Sequence, residues 1–258
     1  MMLGGHPHCV GLGEVARFLE QELENSRRSV CSCGKSMDDC EFWSKVAQRL
    51  ESSDKTELAE KYAVVFEVFD EVFGHDRILI DSSKHLPPLE ILHSHFQGDL
   101  AVLFLMRDVR SAAISRLDNL RRKGQLRGRQ WIQQSPIYIF WQWYRRNKRM
   151  QQFFQDHDLK VFQLGYEELC LYPEQMLQKI CHYMEEEWDP AMLRLHQTSS
   201  HVLRGNRMRY QPEKSQIRYD HRWFLRQEWN LPAFMFPNIM HYNSREVYRN
   251  HTEAVWKR

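Results

Sequence analysis

An apolar run that ends in a fixed cation constrains this chain more than any other feature. Ala101-Val-Leu-Phe-Leu-Met106 is continuously apolar, Arg107 follows at once, and Asp108 to Ser115 then continues with helical spacing. Upstream, Arg77-Ile-Leu-Ile80 ends in Asp81-Ser82-Ser83-Lys84. Short, near-continuous apolar runs followed by helices read as strands of a parallel sheet buried on both faces. In open α/β sheets, ligands sit at the carboxyl ends of the strands. A guanidinium fork at Arg107 with a hydroxyl at Ser115 suits a phosphate monoester.

The remaining pattern fits the same class. Leu159–Leu164 reads as a third buried strand. Helices are expected from Gly13 to about Glu24, from a Ser53-Asp54 cap to Gly74, and from Pro87-Pro88 onward. Others are expected over Val109–Lys123, from Ser135-Pro136 to about His157, and over Pro173–Met184. Ser26–Glu41 reads as a Cys/Ser/Gly/Asp-rich loop, and the chain beyond Asp189 as short helix and loop. Neither an internal repeat nor a low-complexity linker divides the 258 residues. One α/β domain with a central parallel sheet and helices on both faces is the simplest reading.

Charge and composition exclude several classes. Net charge is only +2, so a nucleic-acid coat is not indicated. No apolar run approaches the roughly 18 residues needed to cross a bilayer. The positive charge is clustered instead. Arg145 to Arg149 reads as a solvated helix face. Arg204 to Arg209, beside Gly205-Asn206, is the better ligand candidate. Cys31, Cys33 and Cys40 form the one local cysteine group. Three thiolates at this spacing suit zinc, with Asp38, Asp39, His6 or His8 competing for a fourth place. A disulfide or plain packing competes with zinc, and no residue set implies a metal requirement for the chemistry.

Five segments, in order, resemble the superfamily of sulfotransferases that use 3′-phosphoadenosine 5′-phosphosulfate (PAPS). They are His6-Pro7-His8-Cys9-Val10-Gly11-Leu12-Gly13-Glu14, Asp81-Ser82-Ser83-Lys84, and Arg107-Asp108-x-Arg110 through Ser115. Gly165-Tyr166-Glu167-Glu168-Leu169 with Pro173, and His201-Val-Leu-Arg204-Gly205-Asn206-Arg207 followed by Asp220 and Trp223, complete the set. The branch containing the tyrosylprotein sulfotransferases is the most similar. The resemblance implies a P-loop-like three-layer fold and transfer from PAPS to a hydroxyl or amine, with PAP as product. It implies Arg107 and Ser115 on the 3′-phosphate, Tyr166 on adenine, and Glu14 as general base. Lys84 becomes a contact of the phosphosulfate or transition state, with Ser82, Ser83 and the loop residues Gly205, Asn206 and Arg207 binding the nucleotide. Plainer readings compete at each position. Arg107 can pair with Asp108, Ser115 can bond to its own turn, and Tyr166 can be core. Glu14 can serve the helix dipole, and Ser82-Ser83 can cap the next helix.

Two departures bear on this. The family's RSGT-like loop, which cradles the 5′-phosphosulfate on backbone amides, has no counterpart here, nor is there a G-x-x-x-x-G-K-[ST]. Met1-Met2-Leu3-Gly4 resembles the end of the helix after that loop. The expectation is a single N-terminally truncated domain over 1–258, lacking a first strand and loop, that is inactive as given. Second, a third 3′-phosphate arginine of the tyrosylprotein branch is Asn119 here, with Arg116 or Arg122 as substitutes. A PAP-binding pseudoenzyme and a small-molecule kinase relative are the alternative functions. The acceptor (carbohydrate, lipid, small molecule or tyrosine), the oligomeric state and the compartment, cytoplasm or Golgi lumen, stay open.

Overall fold

The computed structural model describes residues 2–21, 23–27, 29–96, 100–124, 132–195, 200–205 and 217–250. Its regular elements begin with β1 (Cys9–Gly13), α1 (Val15–Leu19), α2 (Glu24–Arg27), α3 (Trp43–Glu51) and α4 (Leu58–Phe73). They continue with β2 (Ile78–Asp81), α5 (Leu86–His95), β3 (Val102–Met106), α6 (Val109–Arg122) and α7 (Pro136–Asp156). Then come β4 (Val161–Gly165), α8 (Tyr166–Leu171), α9 (Pro173–Tyr183), β5 (Ser200–Arg204), α10 (Asn230–Met235) and α11 (Pro237–Val247). The chain divides into two compact units, Met1–Leu100 with Glu187–Ile217 and Ala101–Glu186 with Arg218–Arg258.

The first unit is built on a parallel sheet of order β2-β1-β5. β1 is the middle strand, and Gly13 at its end lies opposite both Asp81 and Arg204. A bulge between Gly11 and Gly13 shifts both registers there. Gly13 has φ +83, and a Cβ on it would stand 2.3 Å from the Arg204 carbonyl oxygen. Glycine is therefore what lets β5 close on β1 at this point. The core behind the sheet joins Leu12, Phe18, Trp43, Tyr62, Val65 and Leu203. α4 supplies Tyr62, Val65 and Phe69 at three- and four-residue steps, the apolar stripe of an amphipathic helix.

The second unit pairs β3 with β4 in parallel, in register from Val102 opposite Val161 to Met106 opposite Gly165. α6 and α7 bury Val109, Ala113, Ile114, Ile139 and Phe140 together with Trp223 and Ile239. Gly165 is required by a close approach, because a Cβ there would lie 2.0 Å from the Val247 carbonyl oxygen. That contact fixes the end of β4, and Tyr166 follows it directly as the first residue of α8.

The protein is thus α/β with parallel strands joined through helices, and the three apolar runs are β2, β3 and β4. Some boundaries differ from expectation. α4 begins at Leu58, not at Ser53-Asp54, because Ser53 Oγ donates to the Leu50 carbonyl at the end of α3, while Glu57 and Glu60 cap α4. The helix expected from Gly13 to Glu24 closes after Leu19, where the Gln21 N–H turns back to the Phe18 carbonyl. Beyond Asp189 the described chain holds a strand and an eleven-residue helix as well as loops. No helix among the described residues is long and apolar enough to cross a membrane.

Candidate active site

In the first unit the carboxyl ends of three parallel strands converge on Glu14. The Glu14 N–H donates to the Arg204 carbonyl at 2.9 Å, and the Ser82 N–H donates to the Gly13 carbonyl at 2.7 Å. Glu14 Oε1 accepts from Lys84 Nζ at 2.7 Å, and Oε2 from Arg17 Nη1 at 3.3 Å. The carboxylate is mostly sheltered, at 14% exposure, while Lys84 is open at 62%. Burial pushes the Glu14 carboxyl up, but the hydrogen bonds and charges of Lys84 and Arg17 outweigh it and hold the group below the usual glutamate range. Glu14 is therefore an ionised carboxylate paired with an exposed lysine, whose flexible stem can also reach other anions.

Asp81 and Ser83 serve the backbone. Asp81 Oδ1 accepts from the Val15 N–H, the Ser83 N–H and the Ser83 hydroxyl, and Oδ2 accepts from the Tyr62 hydroxyl at 2.7 Å. Ser83 Oγ in turn accepts from the Ala16 N–H at 3.1 Å. The two side chains thus satisfy the open N–H groups at the start of α1. Burial still pushes the Asp81 carboxyl up, although Tyr62, Ser83 and the Val15 N–H all pull it down. The structure commits the Ser83 hydroxyl proton to Asp81, and places it at α1 rather than at α5, whose N-cap is His85. Ser82 is exposed at the strand end. Gly205 directly follows β5, whereas Asn206 and Arg207 lie outside the described residues.

In the second unit Arg107 stands at the end of β3. Its Nε donates to Ser111 Oγ at 2.8 Å and its Nη2 to Asp220 Oδ2 at 2.6 Å. The guanidinium lies over the Tyr166 ring, 4.8 Å from its centroid, a cation–π placement. Arg107 is 27% exposed. The Tyr166 hydroxyl bonds to the Arg218 carbonyl and accepts from the Asp220 N–H, both at 3.3 Å. Ser115 is half-buried and one turn beyond Ser111, hence on the same face of α6. Arg122 donates to Asn119 Oδ1, so it is already engaged beside the position where an arginine was sought.

Asp108 is not the partner of Arg107. It is the N-cap of α6, fully buried, and its two oxygens accept from the Arg110 N–H, Nε and Nη2, from Asn243 Nδ2 and from the Tyr248 hydroxyl. An N-cap carboxylate points at the N–H two residues on, which brings it to Arg110. Arg110 stacks on Trp223 at 4.0 Å. Burial disfavours the Asp108 charge, but Arg110 overrides that and holds its carboxyl below the usual range. Beneath lies Glu167, whose Oε2 accepts the Asp108 N–H at 3.0 Å while Oε1 has no hydrogen-bond partner among the described residues. Burial pushes the Glu167 carboxyl up to about 7.

Ser111 and the ion pair to Asp220 escaped the sequence reading, although the four-residue step from Arg107 to Ser111 was visible. So did His201. Its Nδ1 lies 3.2 Å from Cys40 Sγ, and Cys31, Cys33, Cys40 and His201 place their donor atoms within 4.8 Å of one another. The four fourth-ligand candidates are not part of this group. Asp38 pairs with Arg27, Asp39 accepts from Ser36, and His6 Nε2 bonds to the Glu187 carbonyl while its Nδ1 accepts from the His8 N–H.

Strand-end cations beside hydroxyls in a parallel α/β frame are groups of the kind that can hold an anion. A family model described as Sulfotransferase family matches residues 1–190, and the chain belongs to that family. Two solved structures are similar. A sulfotransferase domain from the Synechococcus PCC 7002 olefin synthase shares 18% identity at a TM-score of 0.45, over 75% of this chain and 60% of that one. A sulfotransferase domain from the curacin biosynthetic pathway shares 18% identity at a TM-score of 0.46, over 92% of this chain and 91% of that one. The chain thus spans less than two thirds of the olefin synthase domain's structure. No protein with a curated description matches.

Proposed function

We propose that this sulfotransferase-family protein moves a sulfuryl group from PAPS to a hydroxyl- or amine-bearing acceptor. The observation that carries the reading is the Arg107 fork, sheltered at a strand end, oriented by Ser111 and Asp220 and stacked on Tyr166. We assign the 3′-phosphate to it, with Ser115 as a further hydroxyl donor and Tyr166 against the adenine. Asp220 holds the place of an anion in the free protein. It also accepts two hydrogen bonds from the Arg222 guanidinium, each 2.7 Å, so its carboxylate keeps a cation when Arg107 turns to phosphate.

Glu14 takes the acceptor proton as the acceptor oxygen or nitrogen bonds to sulfur. The electron pair of the broken S–O bond goes to the departing PAP phosphate. Lys84 couples the two events. When its ammonium turns to the phosphosulfate, Glu14 loses its closest counter-charge and becomes the stronger base. The Lys84 charge meanwhile stabilises the negative charge that develops on the leaving phosphate.

Calorimetry with PAP, adenosine 5′-phosphate and ATP tests the reading. Arg107→Ala should weaken PAP by about 2 kcal/mol, roughly thirtyfold, the lower end for breaking a hydrogen-bonded charge contact because the group is partly exposed. Adenosine 5′-phosphate, which lacks the 3′-phosphate, should bind both proteins alike. Equal losses for both nucleotides, or a preference for ATP over PAP, would sink the assignment. PAP binding without transfer to any acceptor would reduce the protein to a nucleotide binder.

A further inference from the structure

The loop between α2 and α3 carries three cysteines, and β5 brings a histidine to them. Cys40 Sγ lies 3.7 Å from Cys31 Sγ, 3.8 Å from Cys33 Sγ and 3.2 Å from His201 Nδ1. We propose that Cys31, Cys33, Cys40 and His201 form a structural zinc site that ties this loop to the edge of the sheet.

The spacing is that of a shared metal. Tetrahedral zinc with Zn–S bonds near 2.3 Å sets its sulfurs about 3.8 Å apart, whereas a disulfide needs about 2.0 Å. Three thiolates and one imidazole fill four positions, so no site is left for water or substrate, which makes the role structural. The donor set is soft, and thiolates with imidazole select zinc over magnesium or calcium. The surroundings hold the ligands in place. Phe42 and Phe73 flank the His201 ring, and Trp43 Nε1 donates to the His201 carbonyl. Gly34, at φ +87, turns the chain between Cys33 and Lys35, while the Cys31 N–H bonds to the Lys35 carbonyl at 2.8 Å.

The loop is docked on β5 by backbone-like contacts that a metal would lock. The Ser32 N–H donates to the Val202 carbonyl at 3.1 Å, Ser32 Oγ donates to the Ser200 carbonyl at 2.7 Å, and the Val202 N–H donates to Ser32 Oγ at 2.8 Å. β5 in turn ends in Arg204, whose carbonyl receives the Glu14 N–H. Zinc at these four residues therefore fixes the strand against which Glu14 is placed. The site stands on its own geometry and does not depend on the assignment of PAPS.

The test uses the full chain, produced without a histidine tag in zinc-replete medium. Metal analysis should find one zinc per chain, and mass spectrometry under denaturing conditions should find all six cysteines reduced. Cobalt exchanged for zinc should give thiolate charge-transfer bands and tetrahedral d–d bands. Cys33→Ser and His201→Ala should each weaken metal retention by at least about tenfold, judged by competition with a chelating dye. Cys33 is exposed, so its substitution leaves the core intact. Cys170→Ser, outside the cluster, should keep the metal. The proposal is overturned if the purified wild-type chain neither holds zinc nor takes up cobalt. A disulfide among Cys31, Cys33 and Cys40 overturns it, as does metal that survives both Cys33→Ser and His201→Ala or is lost equally from Cys170→Ser.

Discussion

Glu167 is a buried acid whose cost is readable as pH dependence. It is 1% exposed, one oxygen accepts the Asp108 N–H, and the other has no hydrogen-bond partner among the described residues. Burial raises its carboxyl from an ordinary 4.5 to about 7, the neighbouring Asp108 charge adding to the rise. A rise of that size corresponds to roughly 3 kcal/mol between protonation states. The folded protein holds the proton more tightly than the unfolded chain does. The contribution to stability is therefore fully present below about pH 4.5 and is lost as pH climbs through about 7. Glu167→Gln keeps an oxygen for the Asp108 N–H and cannot ionise. Its own unpaired amide adds a constant offset. The informative quantity is thus the difference between the two proteins as pH changes. Chemical denaturation followed by circular dichroism at pH 5 and pH 8 should show the wild type losing about 2–3 kcal/mol relative to Glu167→Gln over that interval. A difference that stays constant within about 0.5 kcal/mol would mean that Glu167 titrates like a solvated carboxylate, and the burial argument would fail.

Two further outcomes concern the candidate site. Glu14→Gln should lower sulfuryl transfer by about 10²–10⁴ while PAP affinity, measured by calorimetry, stays at the wild-type value; activity within about threefold of wild type would remove Glu14 as the base. Asp220→Asn should tighten PAP by about 1 kcal/mol, roughly fivefold, because it removes the carboxylate that competes for Arg107 in a partly exposed pair. Weaker PAP binding in that variant would show that orienting Arg107 matters more than freeing it.

What the sequence showed and what it hid follow from where the stabilising partners sit. β2, β3 and β4 were legible because their apolar runs contrast with polar flanks. β1 was not. It carries two glycines in five residues, and its strand character comes from pairing with β2 on one side and β5 on the other. β5, Ser-His-Val-Leu-Arg, is short and half polar for the same reason. Local chemistry was readable at helix starts such as Ser135, whose hydroxyl accepts from the Tyr138 N–H. Long-range pairing was not. Asp220 reaches Arg107 across 113 residues and His201 reaches Cys40 across 161, and no periodicity marks either partner.

The Arg-Asp-x-Arg segment shows why motif letters alone misassign roles. Asp108 and Arg110 form a closed unit, with the carboxylate wholly buried and the guanidinium between it and Trp223. Removing either leaves a buried charge uncompensated, a loss of roughly 3–5 kcal/mol in comparable pairs. Arg107, one and three residues away by sequence, pairs instead with Asp220, a carboxylate it shares with Arg222. The same division recurs at the end of β2, where Asp81 and Ser83 hold α1 while Lys84 projects to Glu14. In both places the inward residues fix a backbone whose outward neighbour carries the exchangeable charge. A strand end can present a cation to a ligand without loosening because the carboxylates that hold the turn are not the ones that answer the cation.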